Sequence, residues 1–319
     1  METLAPATAN GTSAKSEQVN LGYILAVSFS GSTLLAMLLG AQHDAATVGE
    51  MRAPTIGQPD DYLCGCGEQI KKCKFWNDVR AGMAKRGIPN FDITNACLSI
   101  HDVENPYVHR LLDPLPRGPL LETVRSTALA VSPAWNSHFR NVQKRNETLV
   151  QVLQEVTGAK VVIDSSKIAL HLKYLLKSSY LKIKVIWLVR DGRAVANSML
   201  GHGTKNMRDA AISWRRNNEA AERVLAGMPT SQWMHVCYEE MCKDPQGMLT
   251  KICGFLGMDT GAVTLDFRSR AQHVLGNDMR LKSGSDIRVD ERWRTKLTKE
   301  DLATFEEIAG DLNKKYGYQ

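Results

Sequence analysis

A strand-to-helix transition near the N-terminus constrains the fold more than any other segment. The run Tyr23–Leu39, YILAVSFSGSTLLAMLL, joins five apolar residues to a polar turn, Ser28–Thr33. A helix-favouring stretch, Leu34–Leu39, follows directly and stops at Gly40. A small-residue turn of this kind leaves the first N–H groups of the helix unpaired, and the helix dipole adds partial positive charge at the same point. It is therefore a ready site for phosphate or sulfate. An ordinary βα turn with an N-cap serine is the plainer reading of the same residues.

The apolar runs further along have the character of strands covered on both faces. Lys160–Asp164 (KVVID) and Ile183–Val189 (IKVIWLV) are β-branched without strict alternation, and Trp233–Cys237 (WMHVC) is a weaker third. Helical patterns lie between and after them, at Asn146–Val156, Ile168–Leu176 and Ala210–Leu225. Asp244-Pro245 opens another as cap and first-turn proline, and Thr298-x-x-Asp301 opens the last as a capping-box variant. The expected fold is α/β, with a central, mostly parallel sheet flanked by helices. Residues 41–133 are richer in Pro, Gly and Asn and poorly periodic. They read as a helical and loop insertion after the first βα unit, within a single domain spanning 21–319, placed to cover an acceptor site. Residues 1–20 read as a disordered tail.

Composition excludes some classes. A net charge of +6 suits an anionic ligand but is too small and scattered to imply nucleic acid, and no nucleic-acid motif is present. The run Leu34–Leu39 is far short of the roughly 20 apolar residues a bilayer requires, so no transmembrane segment is expected. The tail lacks a basic start and apolar stretch, so the expected location is the cytoplasm. Seven cysteines make no regular disulfide framework, although three cluster as Cys64-x-Cys66-x6-Cys73. A zinc site would need a fourth ligand that does not follow them, and the spacing matches no common finger. A redox or disulfide role and plain structural thiols are the alternatives, and no metal is assigned.

The opening turn is not a Walker A loop, because Ala26 occupies the first glycine position and Ser32 the lysine position. That argues against a Mg-nucleotide kinase. A second constellation, Leu188–Ser198 (LVRDGRAVANS), takes a strand end through a charged turn into a helix. Arg190 and Ser198 are placed to converge on one anion, since the planar donor fork of arginine matches phosphate. An Asp/Arg-rich turn with surface ion pairs is the alternative.

Ser28–Leu35 followed by Leu188–Ser198 resembles the sulfotransferase superfamily, which uses 3′-phosphoadenosine 5′-phosphosulfate (PAPS). Similarity continues through Gly49-Glu50, Asp164-Ser165-Ser166-Lys167, Val236–Glu240, Gly276-Asn277-x-x-Arg280 and the cysteine segment Cys64–Trp76, in order over roughly Gly22–Leu297. Bacterial members and the tyrosylprotein and carbohydrate branches are closest in style. The resemblance implies a P-loop-like sulfotransferase fold and in-line transfer of a sulfuryl group from PAPS to a hydroxyl or amine acceptor. Backbone donors of Ser30, Gly31, Ser32, Thr33 and Leu34, with the hydroxyls of Ser32 and Thr33, would hold the 5′-phosphosulfate. Arg190 and Ser198 would hold the 3′-phosphate, Tyr238 would lie near the adenine or beneath the loop, and Arg280 would close over the phosphates. Lys167 would offset charge on the leaving oxygen. Glu50, twenty-one residues after Phe29, would be the base, with His43 as runner-up and His101, His109 and His202 behind it. A solvated lysine at 167 and a surface glutamate beside Arg52 are the plainer readings. Trp76 and Trp214 read as core aromatics.

One position departs from the family pattern. Many members carry Lys or Arg immediately before the Ser-Gly-Ser/Thr-Thr core of the first loop, and this chain has Phe29. Lys167, Arg52 or Arg280 would then have to compensate. The alternative is a nucleotide-binding module of the same fold with little or no transferase activity. Oligomeric state and acceptor identity stay open at this point.

Overall fold

The computed structural model describes residues 18–51, 61–112, 118–268, 270, 272–276, 278–281, 284 and 286–319. The chain begins with β1 (Val19–Ala26), α1 (Ser32–Gly40) and β2 (Ala45–Thr47). Four helices follow: α2 (Lys74–Lys85), α3 (Pro106–Leu112), α4 (Gly118–Ala130) and α5 (Pro133–Thr157). Then come β3 (Val161–Lys167), α6 (Ala169–Leu175), β4 (Leu181–Val189), α7 (Gly192–Leu200) and α8 (Met207–Leu225). The remainder is β5 (Trp233–Cys237), α9 (Tyr238–Lys243), α10 (Pro245–Leu256), α11 (Trp293–Lys296) and α12 (Lys299–Lys315).

The five strands make one sheet in the order β2-β3-β1-β4-β5, with every neighbouring pair parallel. β1 lies at the centre, hydrogen-bonded on both edges, which explains why its residues read as a nearly continuous apolar run. Its pleat still sorts side chains by face. Leu21, Tyr23 and Leu25 join the core with Trp76 and Val79 of α2, Leu149 and Leu153 of α5 and Leu172 of α6. Ile24 and Ala26 face the opposite core, with Leu34, Leu35 and Leu38 of α1 and Leu249, Ile252 and Leu256 of α10. A third cluster, with Val195, Trp214, Phe305 and Leu312, binds α7, α8 and α12 together. Trp76 and Trp214 are both fully buried.

The capping signals act where expected. Asp244 Oδ1 accepts from Gly247 N–H at 2.9 Å, and Thr298 with Asp301 forms a reciprocal capping box. Three elements differ from the sequence reading. The stretch taken as an insertion contains β2, which pairs with β3 at Ala45↔Val161 and makes a sheet edge. Three residues are too few to show alternation. α5 begins at Pro133, well before Asn146, because Ser132 caps it by accepting from Trp135 N–H and Pro133 fits the first turn. β3 runs past Asp164 to Lys167, with a bulge opposite Tyr23–Leu25 of β1. Among the described residues no helix is long and apolar enough to cross a membrane. The expected tail at 1–20 overlaps β1, which takes in Val19 and Asn20; its residues 1–17, with Arg52, Asn277 and residues 113–117, lie outside the described residues.

Candidate functional site

The turn after β1 has the form its sequence implies. Ser30 N–H is used within the turn, by Val27 O at 3.2 Å, and Leu35 N–H reaches Gly31 O at 3.1 Å. Among the described residues, the N–H groups of Gly31, Ser32, Thr33 and Leu34 find no protein acceptor, and they open α1. The free backbone donors thus start at Gly31, one residue later than expected. Ser30 Oγ is buried without a partner, which in a native fold asks for a ligand or water. Gly31 is required here: its φ is +87°, and a Cβ would lie 2.5 Å from the Tyr238 ring. Tyr238, the first residue of α9, thereby lies against the loop, and burial pushes its phenol upward in pKa.

Arg190, at the end of β4, clasps the same turn. Its Nη1 donates to Phe29 O at 2.9 Å, and Nη2 donates to Asp290 O at 3.0 Å, with the Asp290 carboxylate at 3.4 Å. The guanidinium lies 4.6 Å over the Tyr238 ring and is buried, with Nε unpartnered. Hydrogen bonding to Arg292, with Arg190 adding to it, holds the Asp290 carboxyl below the usual carboxylate range. Ser198 is half-buried on α7, where its hydroxyl donates to Ala194 O at 3.0 Å. It meets the turn through His202, whose Nδ1 lies 2.7 Å from Ser198 O and whose ring lies 4.6 Å from that of Phe29. Phe29 itself sits at φ +69°, a left-handed conformation uncommon for a bulky residue.

The second half of the site lies at the ends of β2 and β3. Lys167 Nζ donates to Glu50 Oε1 in a largely buried ion pair. The β3 bulge fixes the backbone on both sides of Glu50: Ser165 N–H donates to Gly49 O at 2.9 Å, and Met51 N–H to Asp164 Oδ1 at 3.1 Å. Asp164 Oδ1 also accepts from Ser166 N–H and Ser166 Oγ, at 2.9 and 2.6 Å. Desolvation pushes the Asp164 carboxyl up to about 6. Sequence reasoning placed Asp164 in a motif but gave it no task; its burial beside Glu50 was not legible without the bulge. Lys167 sits at φ +70°, so two strained non-glycine residues, Phe29 and Lys167, close adjacent strands.

One expected residue lies elsewhere, and another is held by its own loop. His43 is exposed and pairs with Asp44, whose carbonyl accepts from Lys160 and Val161 N–H where β3 begins. That is the opposite end of the sheet from the turn, so His43 is not positioned as a base. Arg280 is buried, donates to Gly276 O and Leu63 O at 2.7 and 3.0 Å, and lies over the Tyr62 ring. With Arg268 and Arg270 it lines a cavity of about 220 Å³ that also touches Met37 and Cys66. In this position it braces the cysteine loop and the Gly276 carbonyl.

A turn of unpaired N–H groups thus follows the central strand of a parallel sheet, and an arginine at the end of the neighbouring strand grips it. Residues 23–261 match the sequence model described as the Sulfotransferase family, so the chain belongs to that family. The fold is similar to the sulfotransferase domain of the Synechococcus PCC 7002 olefin synthase, at 18% identity and TM-score 0.52, covering 92% of this chain and 96% of that one. It is also similar to the sulfotransferase domain of the curacin biosynthetic pathway, at 15% identity and TM-score 0.54, covering 95% and 99%. Among curated proteins no sequence match is found.

Proposed function

We propose that this chain transfers a sulfuryl group from PAPS to a hydroxyl acceptor in the cytoplasm. The observation that carries the reading is the turn itself: four unpaired N–H groups and the orphaned Ser30 hydroxyl share one small space. When bound, PAPS would supply the activated sulfuryl group. The turn would hold its 5′-phosphosulfate, and Arg190 with Ser198 would hold its 3′-phosphate, Arg190 exchanging Asp290 for a phosphate oxygen. Tyr238 supports the turn from beneath and stacks on Arg190. Lys167 would offset negative charge as it develops on the leaving oxygen. Glu50 would take the acceptor proton on Oε2, since Oε1 is held by Lys167.

Calorimetry with adenosine 3′,5′-bisphosphate tests the donor assignment. Arg190→Ala is expected to weaken that ligand roughly thirtyfold, about 2 kcal/mol for one buried charged contact, while AMP binding changes little. Equal losses for both ligands would remove the 3′-phosphate from Arg190. A second reading rests on Phe29, whose ring packs on His202 where a cation is usual in the family. On that reading the chain binds the nucleotide without efficient transfer. Single-turnover transfer from labelled PAPS to a panel of alcohols and phenols separates the two, because tight binding with no labelled product favours the module.

A further inference from the structure

The three clustered cysteines acquire a fourth neighbour only in three dimensions. His273, two hundred residues beyond Cys73, brings its Nδ1 to 3.3 Å from Cys73 Sγ and 3.5 Å from Cys64 Sγ. Cys73 Sγ lies 3.9 Å from Cys64 Sγ and 3.7 Å from Cys66 Sγ, and all four ligand atoms fall within 4.8 Å of one another. A zinc ion with Zn–S bonds of about 2.3 Å and a Zn–N bond of about 2.1 Å has tetrahedral edges of about 3.8 Å between sulfurs and about 3.6 Å from sulfur to nitrogen. The four separations given match those edges to within about 0.3 Å. They are far longer than the bond of about 2.0 Å in a disulfide, and all seven cysteines are free thiols.

The surroundings are built around these atoms. Cys64 and Cys66 lie on a turn closed by Gly67 N–H donating to Cys64 O at 2.9 Å, and Cys64 N–H reaches Glu68 O at 2.8 Å. The backbone N–H of Cys66 faces the Cys64 sulfur and that of Trp76 faces the Cys73 sulfur, each favouring the thiolate. Cys73 is also the N-cap of α2, where the helix dipole opposes the burial that pushes its thiol up in pKa. The Phe75 ring stacks on His273 at 4.2 Å and 2° between planes, which fixes the imidazole. Gly65 allows the loop to lie against the chain at His273: a Cβ there would come 2.5 Å from Gln272 O. Cys64 and Cys73 are buried, and Cys66 and His273 are half-buried.

We propose that Cys64, Cys66, Cys73 and His273 form a closed, tetrahedral structural zinc site. Binding displaces the three thiol protons to solvent and leaves a site of net charge −1 beside the N-terminus of α2. Three thiolates and one imidazole fill the coordination sphere, so the ion has no open position for catalysis. Its consequence is mechanical. Leu275 N–H donates to Val48 O at 2.8 Å, and Gly276 N–H to Tyr62 Oη at 3.0 Å. Gly276 also lies directly against the Glu50 carboxylate. The ion therefore staples the cysteine loop to the segment that braces Glu50, whatever reaction that glutamate serves.

The test uses the full chain, expressed with zinc supplementation and purified without chelator. Elemental analysis is expected to find about one zinc per chain. Replacement by Co²⁺ should give the intense visible d–d bands and near-ultraviolet sulfur charge transfer of a tetrahedral thiolate site. Cys73→Ser and His273→Ala should each lose the metal, and His273→Cys should regain it, which a packing role for the imidazole would not produce. Zinc removal from the wild-type chain should lower the Tm while leaving adenosine bisphosphate binding within about twofold, so the proposal stands or falls separately from the donor assignment. Wild-type protein without zinc and without a Co²⁺ spectrum would overturn it. So would iron in place of zinc, or two thiols lost to a Cys66–Cys73 disulfide under reducing purification.

Discussion

The cradle at the end of β1 and the Glu50–Lys167 pair at the end of β3 are neighbours in the sheet, yet they draw on the chain in opposite ways. The cradle is local: Val27, Ser30, Gly31 and Leu35 close the turn among themselves, and Arg190, Tyr238 and His202 reach it from elsewhere. The carboxylate side is assembled from three distant segments, with Glu50 after β2, Asp164–Lys167 at the β3 bulge and Gly276 from the far C-terminal part. A contiguous turn needs only its own residues to be the right size and polarity. A composite site needs each contributing segment to be held in register. The first kind of site survives small changes in the rest of the molecule better than the second.

The largest expected effect breaks the carboxylate side alone. Glu50→Gln should reduce transfer by about 10²–10⁴-fold, the usual contribution of a general base, with bisphosphate affinity unchanged. Full activity in that variant, measured at saturating donor, would strike Glu50 from the mechanism. Asp164 offers the next effect, in stability. Its folded-state pKa of about 6 lies above the unfolded value of 3.8. The native state therefore holds a proton longer than the unfolded state does. Its stabilising contribution is complete below about pH 4 and is lost as pH rises through about 6, a swing of about 3 kcal/mol. Urea melts of wild type and Asp164→Asn should show that decline only in the wild type, since Asn keeps the Oδ1 acceptor and removes the charge. Parallel declines would place the titration elsewhere.

On the cradle side, Gly31→Ala should cost about 1–2 kcal/mol of stability through its positive φ and the Tyr238 ring. It should also weaken bisphosphate binding without altering the pH dependence due to Asp164, a separation that thermal melts and calorimetry would read directly. The smallest effect is expected from Phe29→Lys. It restores the cation usual in the family, gives up the contact with His202, and should raise single-turnover transfer by less than about tenfold, roughly 1 kcal/mol. A fall in transfer would mean that the Phe29–His202 contact positions the turn.

Legibility in the sequence followed the same division. The β1–α1 turn, the helix caps at Asp244 and Thr298, and the strands at Ile183–Val189 and Trp233–Cys237 are local patterns, and each forms within a few residues of its expected span. β2 escaped because three residues carry no period, and the true length of β3 escaped because Ser165 and Ser166 in a bulge resemble a loop. His43 looked suitable as a base by residue type alone; only the direction of the strands puts it at the wrong end. Arg280 has the right chemistry for phosphate, but bonds to Gly276 and Leu63 tie it to its own loop and the cysteine loop. His273 carries no local signal at all, since nothing in its neighbours' spacing points to a cysteine loop two hundred residues earlier.

The strand order has a consequence for how the molecule breathes. β1 is paired with β4 over Val19–Ala26 and with β3 from Asn20 to Leu25, whereas among the described residues the three-residue strand β2 pairs with β3 alone. Opening of the sheet should begin at the β2 edge and reach β1 last, so amide exchange at Ala45–Thr47 should run faster than at Leu21–Leu25. In a partly opened molecule the β1–α1 turn would still be folded after Glu50 had come away from Lys167. Nucleotide binding would then outlast transfer on gentle warming or in low denaturant.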